Sequence, residues 1–161
     1  MANQVMIMGL DLPTGVPINA DQWDGYARER REILEHTLAK DIRNVSWLTG
    51  DIHTFFAGTV HTSGRVDSPA AATEFVSGSI TSEGIAEEFG NQNFVTDRIQ
   101  DINPHITYAE TSRRGYAVIE ARPDELLVDY RFPETVFQPR SAVRTLASFK
   151  VAAGSTTVER R

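Results

Sequence analysis

The spacing of apolar residues changes once along the chain, and that change limits the fold more than any other feature. Between Tyr26 and Lys40 the side chains of Tyr26, Ile33, Leu34 and Leu38 fall on one helical stripe, with charges on the other face. Asp24 is placed to cap the start of this helix, and Lys40 suits the negative end of its dipole. A short strand follows at 45–48 and stops at Thr49-Gly50-Asp51, the order of an α/β unit. Beyond it, residues 54–61, 73–80, 106–110, 116–121, 126–132 and 145–151 carry β-branched and aromatic residues between turn signals and read as strands. The run at 4–8 also reads as a strand. Residues 9–25 are rich in Pro, Gly, Asn and Asp and read as a long loop. Residues 82–100 are polar, with room for one or two short helices. The expected fold class is α/β, a β-rich α/β sandwich with one clear amphipathic helix. It is expected to form a single domain over 1–153, followed by a disordered tail over 154–161.

With 161 residues the chain is long enough to bury roughly 70% of its unfolded surface. A net charge of −6 argues against a nucleic-acid backbone or an anionic membrane as the main partner, since both need clustered Lys and Arg. Arg28, Arg30 and Arg31 alternate with Glu29, Glu32 and Glu35 and are expected to form a solvated helix face. The absence of cysteine excludes disulfides, thiolate nucleophiles and Cys-based zinc sites within this chain. No apolar run approaches the ~20 residues of a membrane-spanning helix. The first residues lack the basic start and cleavage pattern of a signal peptide.

The sharpest chemical candidate is Gly50-Asp51-Ile52-His53, directly after the 45–48 strand. Loops at the carboxyl ends of strands gather ligand-bearing residues in α/β folds. If the backbone stays extended, Asp51 and His53 share a side and can grip one metal or two neighbouring ones. The plainer alternative is a polar turn with a surface histidine. A catalytic metal needs about three protein ligands, and His36, His61 and His105 are not spaced to join these two. Asp21 and Asp24 could act as acid or base beside a pocket walled by Trp23. Alternatively, Asp24 caps the helix, Trp23 and Tyr26 pack, and Asp21 is solvated. Glu74 sits inside an apolar strand and is expected to point outward by alternation. The hydroxyl-rich stretch 77–82 lacks the spacing of a phosphate-cradling loop, and no serine triad is present.

Taken in order, several motifs resemble the alkaline phosphatase D (PhoD-like) metallophosphoesterases. They are Asp21-Gln22-Trp23-Asp24-Gly25-Tyr26, the helix opening Ala27-Arg28-Glu29-Arg30, Leu48-Thr49-Gly50-Asp51-Ile52-His53, Thr73-Glu74-Phe75-Val76 with Ser79-Ile80-Thr81-Ser82, Asn103-Pro104-His105-Ile106, and Arg114-Gly115-Tyr116. The resemblance runs from about Asn3 to about Arg131, and it implies the carboxyl-terminal part of that fold. It also implies hydrolysis of phosphate monoesters or diesters at a multinuclear centre, with iron and calcium as the metals. It carries a metal-site role to Asp51 and His53, and suggests that Trp23 and Asp24 line or support the pocket. Thr54-Phe55-Phe56 stands where members often have small residues and then Trp. The larger amino-terminal part, which normally brings most of the metal ligands, is outside this chain. The implied partners are a phosphoester substrate and either an amino-terminal fragment or a second copy of the chain. Export to the periplasm or beyond is implied as well. The alternative to a share in catalysis is a non-catalytic fragment or assembly module.

Overall fold

The computed structural model describes residues 1–12, 14–89 and 92–161. A single 3-10 turn, Trp23–Tyr26, leads into α1 (Ala27–Ala39). Then come β1 (Ser46–Thr49), β2 (Phe55–His61), β3 (Ala70–Val76), α2 (Ile85–Phe89), α3 (Gln92–Ile102), β4 (Ile106–Glu110), β5 (Tyr116–Ala121), β6 (Glu125–Pro133), β7 (Val143–Ala152) and β8 (Glu159–Arg160). The strands form two four-stranded sheets, ordered β1-β3-β2-β4 and β5-β6-β7-β8. In the first, β1 runs parallel to β3, and β2 runs antiparallel to both β3 and β4. The second is antiparallel throughout. This is the β-rich α/β sandwich expected from the apolar spacing.

Alternation along the first sheet splits its side chains between two cores. Phe55, Ala57 and Phe75 face the second sheet and meet Val128, Tyr130, Ala147, Phe149 and Val151. Ring centroids there lie 4.9 Å apart for Phe55–Tyr130 and 5.1 Å apart for Tyr108–Phe149. Trp47, Phe56, Val60, Ala72 and Val76 face the other way and pack against Leu34 of α1, Ile99 of α3, and Met6, Ile7, Met8 and Leu10.

Five expectations fail, for physical reasons that can be named. The 4–8 run is not a strand. Only Ala2 bridges Leu48, in parallel, while Ile7 and Met8 turn inward to side-chain partners. Glu74 does not point outward. It is fully buried and accepts the N–H groups of Ile7 at 2.8 Å and Met8 at 2.6 Å, and the Thr49 hydroxyl at 2.7 Å.

On α1 the buried face is Arg30, Leu34 and Thr37, while Tyr26, Ile33 and Leu38 are exposed. Arg30 belongs inside because its guanidinium meets Asp24 at 2.5 Å and the carbonyls of Ile7 and Ser63 at 3.5 and 3.3 Å. Asp24 is therefore no helix cap. The α1 N-cap position is Tyr26, without a side-chain bond, and Asp24 spends its second oxygen on the Leu10 N–H at 2.9 Å.

The tail is not frayed. β8 pairs with β7, Val158 packs on the aromatic core, and the Arg161 N–H donates to the Ser148 carbonyl at 2.8 Å. The polar stretch 82–100 holds α2 and the start of α3, apart from Gly90 and Asn91, which lie outside the described residues.

Candidate functional site

Strand directions bring the carboxyl ends of β1, β3 and β4 and the amino end of β2 to one edge of the first sheet. The loops at 50–54, 77–84 and 111–115 collect there, where α/β sheets place their ligand crevices. These loops are closely packed. A Cβ on Gly84 would lie 2.8 Å from the Thr111 carbonyl oxygen and 2.9 Å from that of His53. Gly115 N–H donates to Ser79 O at 2.7 Å. Arg114 donates to the Thr81 and Ser82 carbonyls at 3.1 and 3.0 Å, and grips both oxygens of Glu87 at 2.9 and 2.8 Å. Motif order singled out Arg114 only as part of a longer match. Its role as the tie between the β3 and β4 loops depends on Glu87, which no local pattern connects to it.

Asp51 and His53 occupy the first of these loops, both exposed. Their backbones are left-handed, with φ +71° and +58°. The extended-chain argument for a shared side therefore does not apply. Asp and His tolerate this region better than most residues, but two such positions within one tetrapeptide is uncommon, and held strain of this kind gathers at functional sites. Each side chain has its own anchor. Gln22 Nε2 donates to Asp51 Oδ2 at 3.3 Å, and His53 Nδ1 lies 3.0 Å from the Glu83 carbonyl oxygen. A carbonyl can only accept, so Nδ1 is the nitrogen that donates here, which leaves Nε2 as the ring atom turned to other partners. An imidazole oriented by a backbone carbonyl, two residues from a carboxylate with one oxygen uncommitted, is the donor chemistry a metal takes. These groups fit two positions of a coordination sphere and do not fill it. Among the described residues no three acidic or histidine side chains converge on one point.

Gln22 joins this loop to a second feature. With Asp21, Trp23, Tyr26, Asn3, Val5 and Glu29 it lines a cavity of about 330 Å³. Trp23 is half-buried, and its indole Nε1–H has no hydrogen-bond partner. Trp23 thus lines the cavity, whereas Asp24 stands behind it and fixes the approach of Leu10 and Arg30. Sequence reasoning met Gln22 only as part of the 21–26 motif and gave it no role. His61 ends β2 and His105 precedes β4, both at the end of the first sheet opposite the 50–54 loop. His105 is buried with Nε2 on the Gly9 carbonyl at 2.7 Å, His61 Nδ1 meets the Ser68 carbonyl at 2.7 Å, and their rings are 6.4 Å apart. Burial pushes the His105 imidazole below its ordinary value, which favours its neutral form.

Comparison with known proteins bears on the family and the fold. A family model described as PhoD-like phosphatase matches residues 1–130. Alkaline phosphatase D of Bacillus subtilis (strain 168) is 35% identical over 130 residues, covering 80% of this chain and 22% of that protein. A solved structure described as "Structure of PhoD" superposes with a TM-score of 0.83 at 30% identity, over 99% of this chain and 30% of that one. The chain thus spans less than a third of the length of these relatives.

Proposed function

The chain belongs to the PhoD-like phosphatase family, and from that membership we propose that it takes part in metal-dependent hydrolysis of phosphate monoesters or diesters. In this reading Asp51 and His53 supply two ligands of a site completed by a part of the fold outside this chain. The observation that carries it is the left-handed Asp51–His53 loop at the carboxyl end of β1, with His53 Nε2 unspent and one Asp51 oxygen free. The metals are iron and calcium, and when bound they supply positive charge that lowers the cost of attack by water at phosphorus. The chain's own residues position the ligands. Glu83 sets the His53 tautomer, Gln22 restrains Asp51, and Arg114 with Glu87 keeps the neighbouring loops from moving apart. Trp23 walls the adjoining cavity and Asp24 supports it from behind. The working compartment is the periplasm or beyond. No helix among the described residues is long and apolar enough to cross a membrane.

The test is turnover of a chromogenic phosphate ester with iron and calcium, by this chain combined with the remainder of a PhoD-like fold. Asp51→Ala and His53→Ala should each lower turnover on the order of 100-fold or more. Undiminished turnover in both variants would remove the reading. A second reading, a non-catalytic assembly module, is favoured by one observation. Large apolar side chains stay exposed, Tyr26, Ile33, Ile42, Val118 and Ile119 among them.

A further inference from the structure

The two sheets open on the same side of the sandwich, but their edges there differ. On the first sheet, β1 is covered by the first residues of the chain: Leu48 N–H donates to Met1 O at 2.8 Å, and Asn3 N–H donates to Leu48 O at 3.1 Å. On the second sheet, β5 pairs with β6 alone, and its outer edge has no strand partner among the described residues.

The register shows which groups are left over. Arg122 N–H donates to Glu125 O at 2.9 Å at the hairpin end. Stepping back in twos, Glu120, Val118 and Tyr116 turn their backbone groups toward β6, so Ala117, Ile119 and Ala121 present theirs outward. Beneath this edge a groove of about 460 Å³ runs between the sheets, walled by Leu48, Ile119, Ala121, Leu126 and Val151. Proteins blunt exposed edges with charge, proline or brevity. β5 instead offers Val118 and Ile119, 47% and 38% exposed, with a single charge at Glu120.

We propose that the outer edge of β5 and the groove beneath it seat an extended strand from the part of a PhoD-like phosphatase that this chain does not cover. The proposal rests on the family reading but not on its metal chemistry. Two observations choose this occupant. The fold of the solved relative contains this one over 99% of its length yet runs far beyond it, so a large body of chain must find a seat on this framework. The seat also has the form of a missing strand. About 20 Å of unpaired edge lies beside a groove that admits side chains from one face only, which calls for alternating apolar and polar residues. A second copy of this chain fits less well, because each carries a net charge of −6 and the two would repel.

The experiment refolds this chain together with the complementary portion of Bacillus subtilis alkaline phosphatase D. Complex formation is followed by size-exclusion chromatography and titration. Ala121→Pro removes an outward N–H that the fold does not use, a position where an edge strand accepts proline, and Ile119→Lys places a charge in the groove. A one-to-one complex is expected, weakened at least tenfold by either variant while the urea midpoint of the isolated chain stays put. Equal affinity in both variants, or no complex at all, would overturn the proposal. So would a homodimer of this chain that Ala121→Pro disperses. If the complex forms at this edge but hydrolyses no phosphate ester with metals present, the catalytic reading fails and the docking surface stands.

Discussion

The two faces of the first sheet are built on opposite principles. Toward the second sheet, Phe55, Ala57 and Phe75 meet a mainly apolar, aromatic layer, in which the Tyr130 hydroxyl donates to Phe56 O at 2.5 Å. Toward α1, the core contains a buried carboxylate, a buried ion pair and a buried histidine: Glu74, Asp24 with Arg30, and His105. Backbone supply explains the difference. Ladder hydrogen bonds satisfy the main chain of the strands that carry this layer, so their facing side chains are free to be apolar. The 5–12 segment has no ladder. Its N–H groups at Ile7, Met8, Leu10 and Asp11 go to Glu74, Asp24 and Asn103. A buried irregular segment imports polar side chains because each of its unpaired groups would otherwise cost free energy.

The sharpest way to break this comparison is to place the same apolar residue on each face. Glu74→Leu leaves three buried donors without an acceptor and should cost about 4 kcal/mol. Phe149→Leu exchanges one apolar residue for another in the aromatic layer and should cost about 1.5 kcal/mol. Urea denaturation of both variants measures the gap, and equal costs would mean that volume governs both faces alike.

A pH series should give the next largest effect. Burial pushes the Glu74 carboxyl up from its ordinary 4.5 to about 7, against the opposing bonds from Met8, Ile7 and Thr49. The Thr49 hydroxyl, able to accept as well as donate, is the natural partner of the retained proton. Between these values the folded chain holds a proton that the unfolded chain has released. The contribution of Glu74 is therefore complete below pH 4.5 and is lost as pH rises through 7. Subtracting the Glu74→Gln profile isolates a fall on the order of 3 kcal/mol over that window. A flat difference would show that the carboxylate is already ionised throughout. On the aromatic face, Tyr130→Phe removes one hydrogen bond and little volume, and should cost about 1 kcal/mol in the same urea assay.

This contrast also explains what could be read in advance. The strands were legible because sheet ladders leave alternation as the only pattern the side chains need to follow: 106–110 and 116–121 match β4 and β5 residue for residue. The polar face was not. Glu74 and Arg30 look like surface residues because their partners, the backbone at 7–8 and Asp24 with the 63 carbonyl, are set by tertiary approach. β8 is only two residues long, below any periodic signal. At the candidate site, the chemical types of Asp51 and His53 and their place after β1 were readable. Their left-handed backbones were not, since alternation presupposes extended chain. Gln22 and Glu83, which anchor them, contribute through contacts that no spacing encodes.

The smallest expected effect tests whether the site residues are kept for stability or in spite of it. Asp51 is exposed, holds only one long bond to Gln22, and sits at φ +71°, where glycine is the comfortable residue. Asp51→Gly relieves that conformation and should raise stability by about 0.5 kcal/mol, after allowing for the greater freedom glycine brings to the unfolded chain. The same change removes a proposed ligand, so it should abolish turnover in the complemented enzyme while leaving the complex at the β5 edge intact. Residues kept for function commonly stand where stability would choose otherwise. A clear loss of stability in Asp51→Gly would make the carboxylate a structural group like Glu74, and would place this loop with the polar face of the core.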